Sequence, residues 1–427
     1  MSSAVAVAPV PAHARSSSPL PADVPEPHAT LCLLCRAAVS PALCGRVLEH
    51  LDAHGWRRLI EAAEIHGLLP LLWHLCAQNG SLPMPAEVRQ GLEQQFRRYR
   101  LHRTVLEARL AQLTGALDEA GVPYAVLKGP ALAATVYDPP WLRPYGDIDL
   151  LLQVPSWPRV RALLQQLGYG VGDAGTLAAA QRYPGDGLNS IACTLPHAQV
   201  LLEVHFDLLQ LGWASPAMGE LWSRLRSAPL GEGRAISVLA PEEQVLQACV
   251  HLFYHGFYRL IWFMDLQQLL QAYGSTLDWA RIVQLARREG VALPVSYALR
   301  YLRELLGMGA PAWVEAALAP RGLERWLFER VWPRPRVLRF ERYEPPARLF
   351  THAPVLRGLA LHLLVLGARR QKLGRLVRYA IPPRTWMARL HGVPDRDLRL
   401  SWLYVRRVAT VLRNCARLVV SEWRGGQ

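Results

Sequence analysis

At 427 residues, just over half of them apolar, the chain is long enough to bury the cores of two or three domains and too apolar to be disordered throughout. Its formal charge of +14 sits at one end: from residue 331 onward 20 Lys and Arg face 5 Asp and Glu, which leaves the first 330 residues near neutral. Seven cysteines without regular spacing argue against a disulfide framework, and no apolar run reaches the length of a bilayer span, so a cytoplasmic protein is expected.

Residues 1–29 are Pro, Ala and Ser with few large apolar side chains, and read as a disordered tail rather than a signal peptide. From 30 to 118 apolar residues recur at three- and four-residue spacing, a helical region closed by Gly121. Within it Cys32 and Cys35, with His28 and Cys44 nearby, have zinc-ligand spacing, but "LCLLCRAAV" reads as an apolar helix in which cysteine is a small core residue. Residues 119–235 change texture: "VPYAVLKG" is a strand-like run, "PALAATVY" a helix with Pro130 at its first position, and "DIDLLLQV" a strand. "SWPRVRALLQQLGY" follows as an amphipathic helix, and "LNSIACTL" and "QVLLEVHFDLL" as two strands joined by a turn at Pro196 to Gln199. The expected fold class is therefore α/β (α+β): a small mixed-sheet core flanked by helical regions. From 236 to 330 helices return, and the Pro- and Arg-rich stretch 331–350 reads as a linker into a basic terminal segment that runs to 427.

The chemistry concentrates in the α/β stretch. Asp147 and Asp149 are two apart on a strand, so their backbones lie about 6.6 Å apart and their carboxylates share a face. In a partly buried site their repulsion is on the order of 2 to 3 kcal/mol, which calls for a cation. Alternation in "QVLLEVHFDLL" likewise puts Glu203, His205 and Asp207 on one face and an apolar set on the other. Pairing that strand beside "DIDLL" would bring a third carboxylate to the first two, a set of hard oxygen donors suited to magnesium or manganese. Just upstream, Gly129 permits close approach of a ligand to a strand-to-helix turn, and Lys128 stands beside it.

Taken together, "LKGPALAATVYDPPWLRPYGDIDLLL" and "LLEVHFDL" resemble the DNA polymerase beta-type nucleotidyltransferase superfamily, and within it a large bacterial family of uncharacterised nucleotidyltransferases. The shared pattern is a Lys-Gly turn, an arginine a few residues before Asp-hydrophobic-Asp, and a distal Glu-Val-His strand. "WRRLIEAAEIHGLLPLL" and "HLFYHGFYRLIWFMDLQQLL" extend the resemblance over most of residues 30 to 300. It implies transfer of a nucleoside monophosphate from an NTP, with ATP the expected co-substrate, to a hydroxyl on a small molecule, sugar or protein, with release of pyrophosphate. Magnesium or manganese would be the cofactor. Asp147 and Asp149 would bind both metals, Glu203 the catalytic one, with Asp207 the rival third acid. Lys128, Gly129 and Arg143 would contact the nucleotide, Arg143 having a salt bridge to Asp147 or Asp149 as its structural alternative. His205 is expected to support the acids by a hydrogen bond. Two departures stand out: the superfamily's Gly-Ser is Gly129-Pro130, which lacks both hydroxyl and N–H, and "YDPPWLRPYG" lengthens the gap to Asp147. They keep open a non-catalytic scaffold built on the same fold. Removing one clustered acid is expected to relieve repulsion, so the metal-free melting temperature should hold or rise in each variant.

On the next helix His251, His255, Tyr258, Trp262 and Asp265 form one stripe at 100° per residue, expected to close over the α/β unit with Asp265 near the site. The two histidines have metal-ligand spacing, but no Glu follows His251 as a metalloprotease would need. At the basic end, Arg399, Arg406, Arg413, Arg417 and Arg424 fall within roughly 40° of one another if 399 to 424 is one helix. Such a helix suits an anionic membrane surface, in a bacterium the inner face, whereas no aromatic-interleaved motif points to a specific nucleic acid.

Overall fold

In a computed structural model the described residues are 19–37, 45, 47–78, 84–171, 190–195, 200–209, 217–231, 233–341, 381, 384–391, 393–394 and 396–424. Most of the expected N-terminal tail, the turn at 196–199, Cys44 and residues 342–350 of the expected linker lie outside them. The end of the tail is packed, with Val24 buried and the first helix beginning at His28.

Helices come first, among them α1 (His28–Ala37), α2 (Ala53–His66), α3 (Leu69–Gln78) and the 34-residue α4 (Ala86–Glu119). Asp52 caps α2 by accepting the Gly55 N–H, and Gly67 ends it in the left-handed conformation. Cys32 and Cys35 are buried in α1, as the helix reading of that segment expects. Then follow β1 (Tyr124–Leu127), α5 (Lys128–Thr135), β2 (Asp147–Leu152), α6 (Trp157–Gln166), β3 (Gly170–Val171), β4 (Ser190–Leu195), β5 (Val200–His205), the short α7 (Ala217–Trp222), β6 (Arg226–Gly231) and β7 (Arg234–Val238). They build one mixed sheet in the order β3-β4-β5-β2-β1-β7-β6, with β2 at its centre, antiparallel to β1 and parallel to β5. A central strand covered on both faces must be apolar throughout, and Ile148, Leu150, Leu151 and Leu152 are fully buried.

Helix α5 starts two residues earlier than the sequence suggests, at Lys128, so Pro130 is its third residue; the first-turn N–H groups of a helix need no internal partner, which makes proline harmless there. The β6–β7 hairpin was not apparent in the sequence, because Arg226, Ser227, Arg234 and Ala235 are exposed and blur the alternation.

Seven helices follow: α8 (Pro241–Tyr254), α9 (Leu260–Tyr273), α10 (Trp279–Arg288), α11 (Ala292–Leu306), α12 (Ala312–Leu318), α13 (Gly322–Val331) and α14 (Arg334–Leu338). The stripe expected on a single helix is thus divided between α8 and α9, because Gly256 and Phe257 both take positive φ, 64° and 62°. The beginning of the expected linker is core instead: Trp332, Val337, Leu338 and Phe340 are buried, since its apolar residues outweigh the intervening Pro and Arg. Last come α15 (Arg384–His391) and α16 (Arg399–Arg424), packed through Met387, Ala388 and Leu400.

Two cores result. One fills the sheet layer and includes Leu106, Leu110, Leu113 and Leu117 from the second half of α4. The other joins α1 to α3 and the start of α4 with α8 to α14 in one helical shell. Among the described residues no helix is long and apolar enough to cross a membrane.

Candidate active site

The site forms where the central strands enter the sheet. The parallel register of β2 and β5 sets Asp149 opposite Glu203, and the antiparallel register of β1 sets Leu127 opposite Asp149. The next residue, Lys128, turns the chain with φ of 51°, a conformation that costs a non-glycine residue about 1 kcal/mol. That turn delivers its ammonium to Asp149 Oδ1 at 2.6 Å and to Glu203 Oε2 at 3.9 Å. From two residues along β5, His205 Nε2 reaches Asp149 Oδ1 at 2.7 Å and Glu203 Oε2 at 3.5 Å.

Asp149 is therefore a buried carboxylate between two nitrogen groups. Burial alone would raise its carboxyl, but the Lys128 charge and the His205 hydrogen bond bring it down to about 2. Asp147 has no such partner: burial and the adjacent Asp149 charge push it up to about 6. Candidate ligand atoms of Asp149, Glu203 and His205 lie within 4.8 Å of one another. The Lys128 ammonium already occupies the space beside them, so this donor set accepts a positive charge where the sequence asks for one.

The other expected residues are placed as follows. Arg143 is buried and does not pair with Asp147 or Asp149; its Nε and Nη2 bind Asp265 Oδ1 and Oδ2 at 2.5 and 2.7 Å. Burial opposes the guanidinium charge, but Asp265 outweighs it and holds Arg143 above its ordinary value. Tyr137 donates to Asp265 Oδ1 at 2.8 Å, and Arg103 donates to the Arg143 carbonyl at 2.9 Å, locking the loop before β2. Gly129 packs under Tyr145: a Cβ there would lie 2.5 Å from the Tyr145 Cβ. Asp207 falls past the end of β5, where its Oδ1 accepts the Leu209 N–H, so strand alternation no longer carries it to the Glu203 face.

These groups open onto a cleft of about 780 Å³. Lys128, Asp147, Asp149 and Glu203 form its floor, and His251, His255, Tyr258 and Trp262 a wall, despite the break between α8 and α9. The rings of that wall are in contact, His251 to His255 at 4.4 Å and His255 to Trp262 at 4.7 Å between centroids. Burial and the Lys128 charge lower His255 to about 4, and burial and His255 hold His251 well below its ordinary value, so both imidazoles are neutral at pH 7. Sequence reasoning missed the opposite wall, which includes Gln95, Arg98, Tyr99 and His102 of α4, and missed Arg259. Gln95, Arg98 and His102 recur at helical spacing on α4, a pattern that also fits a solvated face and so gave no distinct signal.

Residues 52–307 match the model of a family described as uncharacterised nucleotidyltransferase. A search of curated proteins finds no match. Among solved structures, the solution structure of the antibiotic-resistance factor ANT(2'')-Ia is similar at 17% identity, over 46% of this chain and 94% of that one, with a TM-score of 0.30.

Proposed function

The chain belongs to the family of uncharacterised nucleotidyltransferases, and on that premise we propose that its cleft transfers a nucleoside monophosphate from an NTP, ATP first among them, to a hydroxyl on a small molecule, sugar or protein. The observation that carries this reading is the convergence of Asp149, Glu203 and Lys128 at the base of the cleft, with Asp147 beside them. In the transfer the acceptor oxygen bonds to the α-phosphorus. The bond from that phosphorus to the bridging oxygen breaks, and its electron pair leaves on pyrophosphate. Glu203, whose side chain is 32% exposed, is the carboxylate open to take the hydroxyl proton. His205 orients Asp149, and the neutral imidazoles of His251 and His255 leave the anionic substrate unopposed by further acids. Asp147, Asp149 and Glu203 would hold magnesium or manganese, which supplies charge neutralisation for the phosphates when bound. Catalysis here is positioning and electrostatics.

The test is a thermal-shift titration of the full chain with each NTP, with and without magnesium, followed by the mass increment of an acceptor in cell extract incubated with labelled ATP. A magnesium-dependent stabilisation and a nucleotidyl increment support the reading. Stabilisation by no NTP would sink it.

We propose in addition that α16 rests on an anionic membrane surface. Arg399, Arg406 and Arg413 are exposed on it, and Trp402, 61% exposed, shares that face with the Arg406 guanidinium 5.5 Å from its ring centroid, a combination of cation and apolar wedge that suits a lipid headgroup layer.

A further inference from the structure

The phosphate contacts that the family resemblance suggests are already committed within the fold. Lys128 is held by Asp149, Arg143 is chelated by Asp265, and the Gly129–Pro130 turn is sealed under Tyr145. An NTP nevertheless brings a triphosphate of three to four negative charges into the cleft. Among the described residues lining that cleft, Arg98 and Arg259 are the arginines for which the structure shows no direct ion pair, Arg259 feeling Asp265 and Asp147 only at a distance.

They differ in setting. Arg98 is exposed, so water serves it. Arg259 is half-buried at the turn between α8 and α9, with its Nε shielded from water and without a hydrogen-bond partner. Its guanidinium carbon stands 5.5 Å from the Trp262 ring centroid, and its Nη2 lies 3.1 Å from where a Cβ on Gly67 would be. Trp262 and Gly67 thus bound the planar group, and all three residues line the same cleft. Burial lowers its proton affinity, and the Arg143 charge adds to this, while Tyr258, Asp265 and Asp147 offset part. An anion would reverse both effects. A fixed guanidinium with an unmet donor is suited to a phosphate, whose oxygens take its N–H groups in pairs.

We propose that Arg259 anchors the β- and γ-phosphates of the NTP, and so the pyrophosphate that leaves. The proposal rests on the nucleotidyl-transfer reading above. On that reading the acids and Lys128 serve the α-phosphorus, which leaves the largest charge of the substrate to another cation lining the cleft. As the bond to the bridging oxygen breaks, the electron pair passes to the pyrophosphate, and a donor fork already in position gains strength as that charge builds.

Calorimetry on the full chain with magnesium pyrophosphate, the four NTPs and the four NMPs tests this. Arg259→Gln should weaken pyrophosphate and NTP binding at least about tenfold and leave NMP binding unchanged. Arg259→Lys, which keeps the charge and loses the fork, should fall between, and serves as the readout if the glutamine variant folds poorly. Wild-type affinity for pyrophosphate and NTP in both variants overturns the proposal while the transfer reading stands. An equal loss for NMPs overturns it too, because Arg259 would then hold the α-phosphate or the fold. A wild-type chain that binds neither pyrophosphate nor any NTP overturns the transfer reading, and this proposal with it.

Discussion

At the scale of single residues the acids at the base of the cleft are unequal, although the sequence presents them as a set. The expectation is that removing any one of them leaves the metal-free protein as stable or more so; the surroundings favour that outcome for Asp147 and oppose it for Asp149. Asp147 is pushed up to about 6, above its unfolded value of 3.8, so its ionisation opposes folding as pH rises through 6. Asp147→Asn should raise the metal-free melting temperature at pH 7.5, by the equivalent of on the order of 1 to 2 kcal/mol, and the gain should vanish near pH 4. Asp149 lies at about 2, below its unfolded value, so its contribution is present above pH 4 and is lost as pH falls toward 2. Asp149→Asn strands the Lys128 ammonium and should destabilise by about 3 kcal/mol, measured by denaturant titration in EDTA. Transfer should be abolished in Asp147→Asn, Asp149→Asn and Glu203→Gln alike, and full activity in any one removes that residue from the chemistry. Gly129→Ala belongs to the same scale: the new methyl meets the Tyr145 Cβ, so a loss of about 1 to 3 kcal/mol is expected. Tyr145→Ala should not relieve it, since the Cβ remains, whereas Tyr145→Gly should.

At the scale of elements, what the sequence made legible was local. Asp147 and Asp149 announce a strand end, β2 and β5 read as apolar runs, and Lys128–Gly129 marks the turn from β1 into α5, so the base of the cleft could be assembled from three short segments. The contacts that needed a fold could not be read: Arg143 and Asp265 meet across 122 positions, and nothing near either names the other. The break between α8 and α9 was missed because apolar periodicity runs through "HLFYHGFYRLIWF" and only Gly256 interrupts it. One contact secures that break. The Leu260 N–H, at the start of α9, donates to the buried His66 Nδ1 at 3.2 Å. Burial, with the nearby His28 and Arg259, lowers His66 to about 3, so it is neutral in the fold and takes a proton readily only when unfolded. Its contribution is complete above pH 6.5 and is lost as pH falls toward 3, a decline of about 2 kcal/mol by pH 5. The melting temperature should therefore drop from pH 7 to pH 5, and drop less in His66→Asn, whose side-chain oxygen can still accept that N–H. An unchanged pH slope in the variant would mean that other groups, such as His251 and His255, carry the dependence.

At the scale of the molecule, the positive charge and the chemistry lie on separate elements, so each can be tested alone. Each exposed arginine near an anionic bilayer is worth about 1 kcal/mol, screened over roughly 8 Å at physiological salt. Co-sedimentation with phosphatidylserine vesicles should accordingly fall steeply from low to high salt, and further when Arg406 and Arg413 become Gln, with NTP binding untouched. Wild-type protein that ignores such vesicles at low salt leaves α16 a solvated face. The helical shell has a different kind of consequence. Its core draws mainly on residues 24–92 and 239–340, joined by Leu127, Leu132, Leu151 and Leu209 of the stretch between, with the Arg36 guanidinium bound to the Glu304 and Leu305 carbonyls some 270 positions away. During synthesis the first helices emerge with their apolar faces bare and must wait for the whole sheet, and then α8 to α11, to be made before they are covered. The cleft, lined by residues of both early and late helices, is therefore complete only once the late ones have docked.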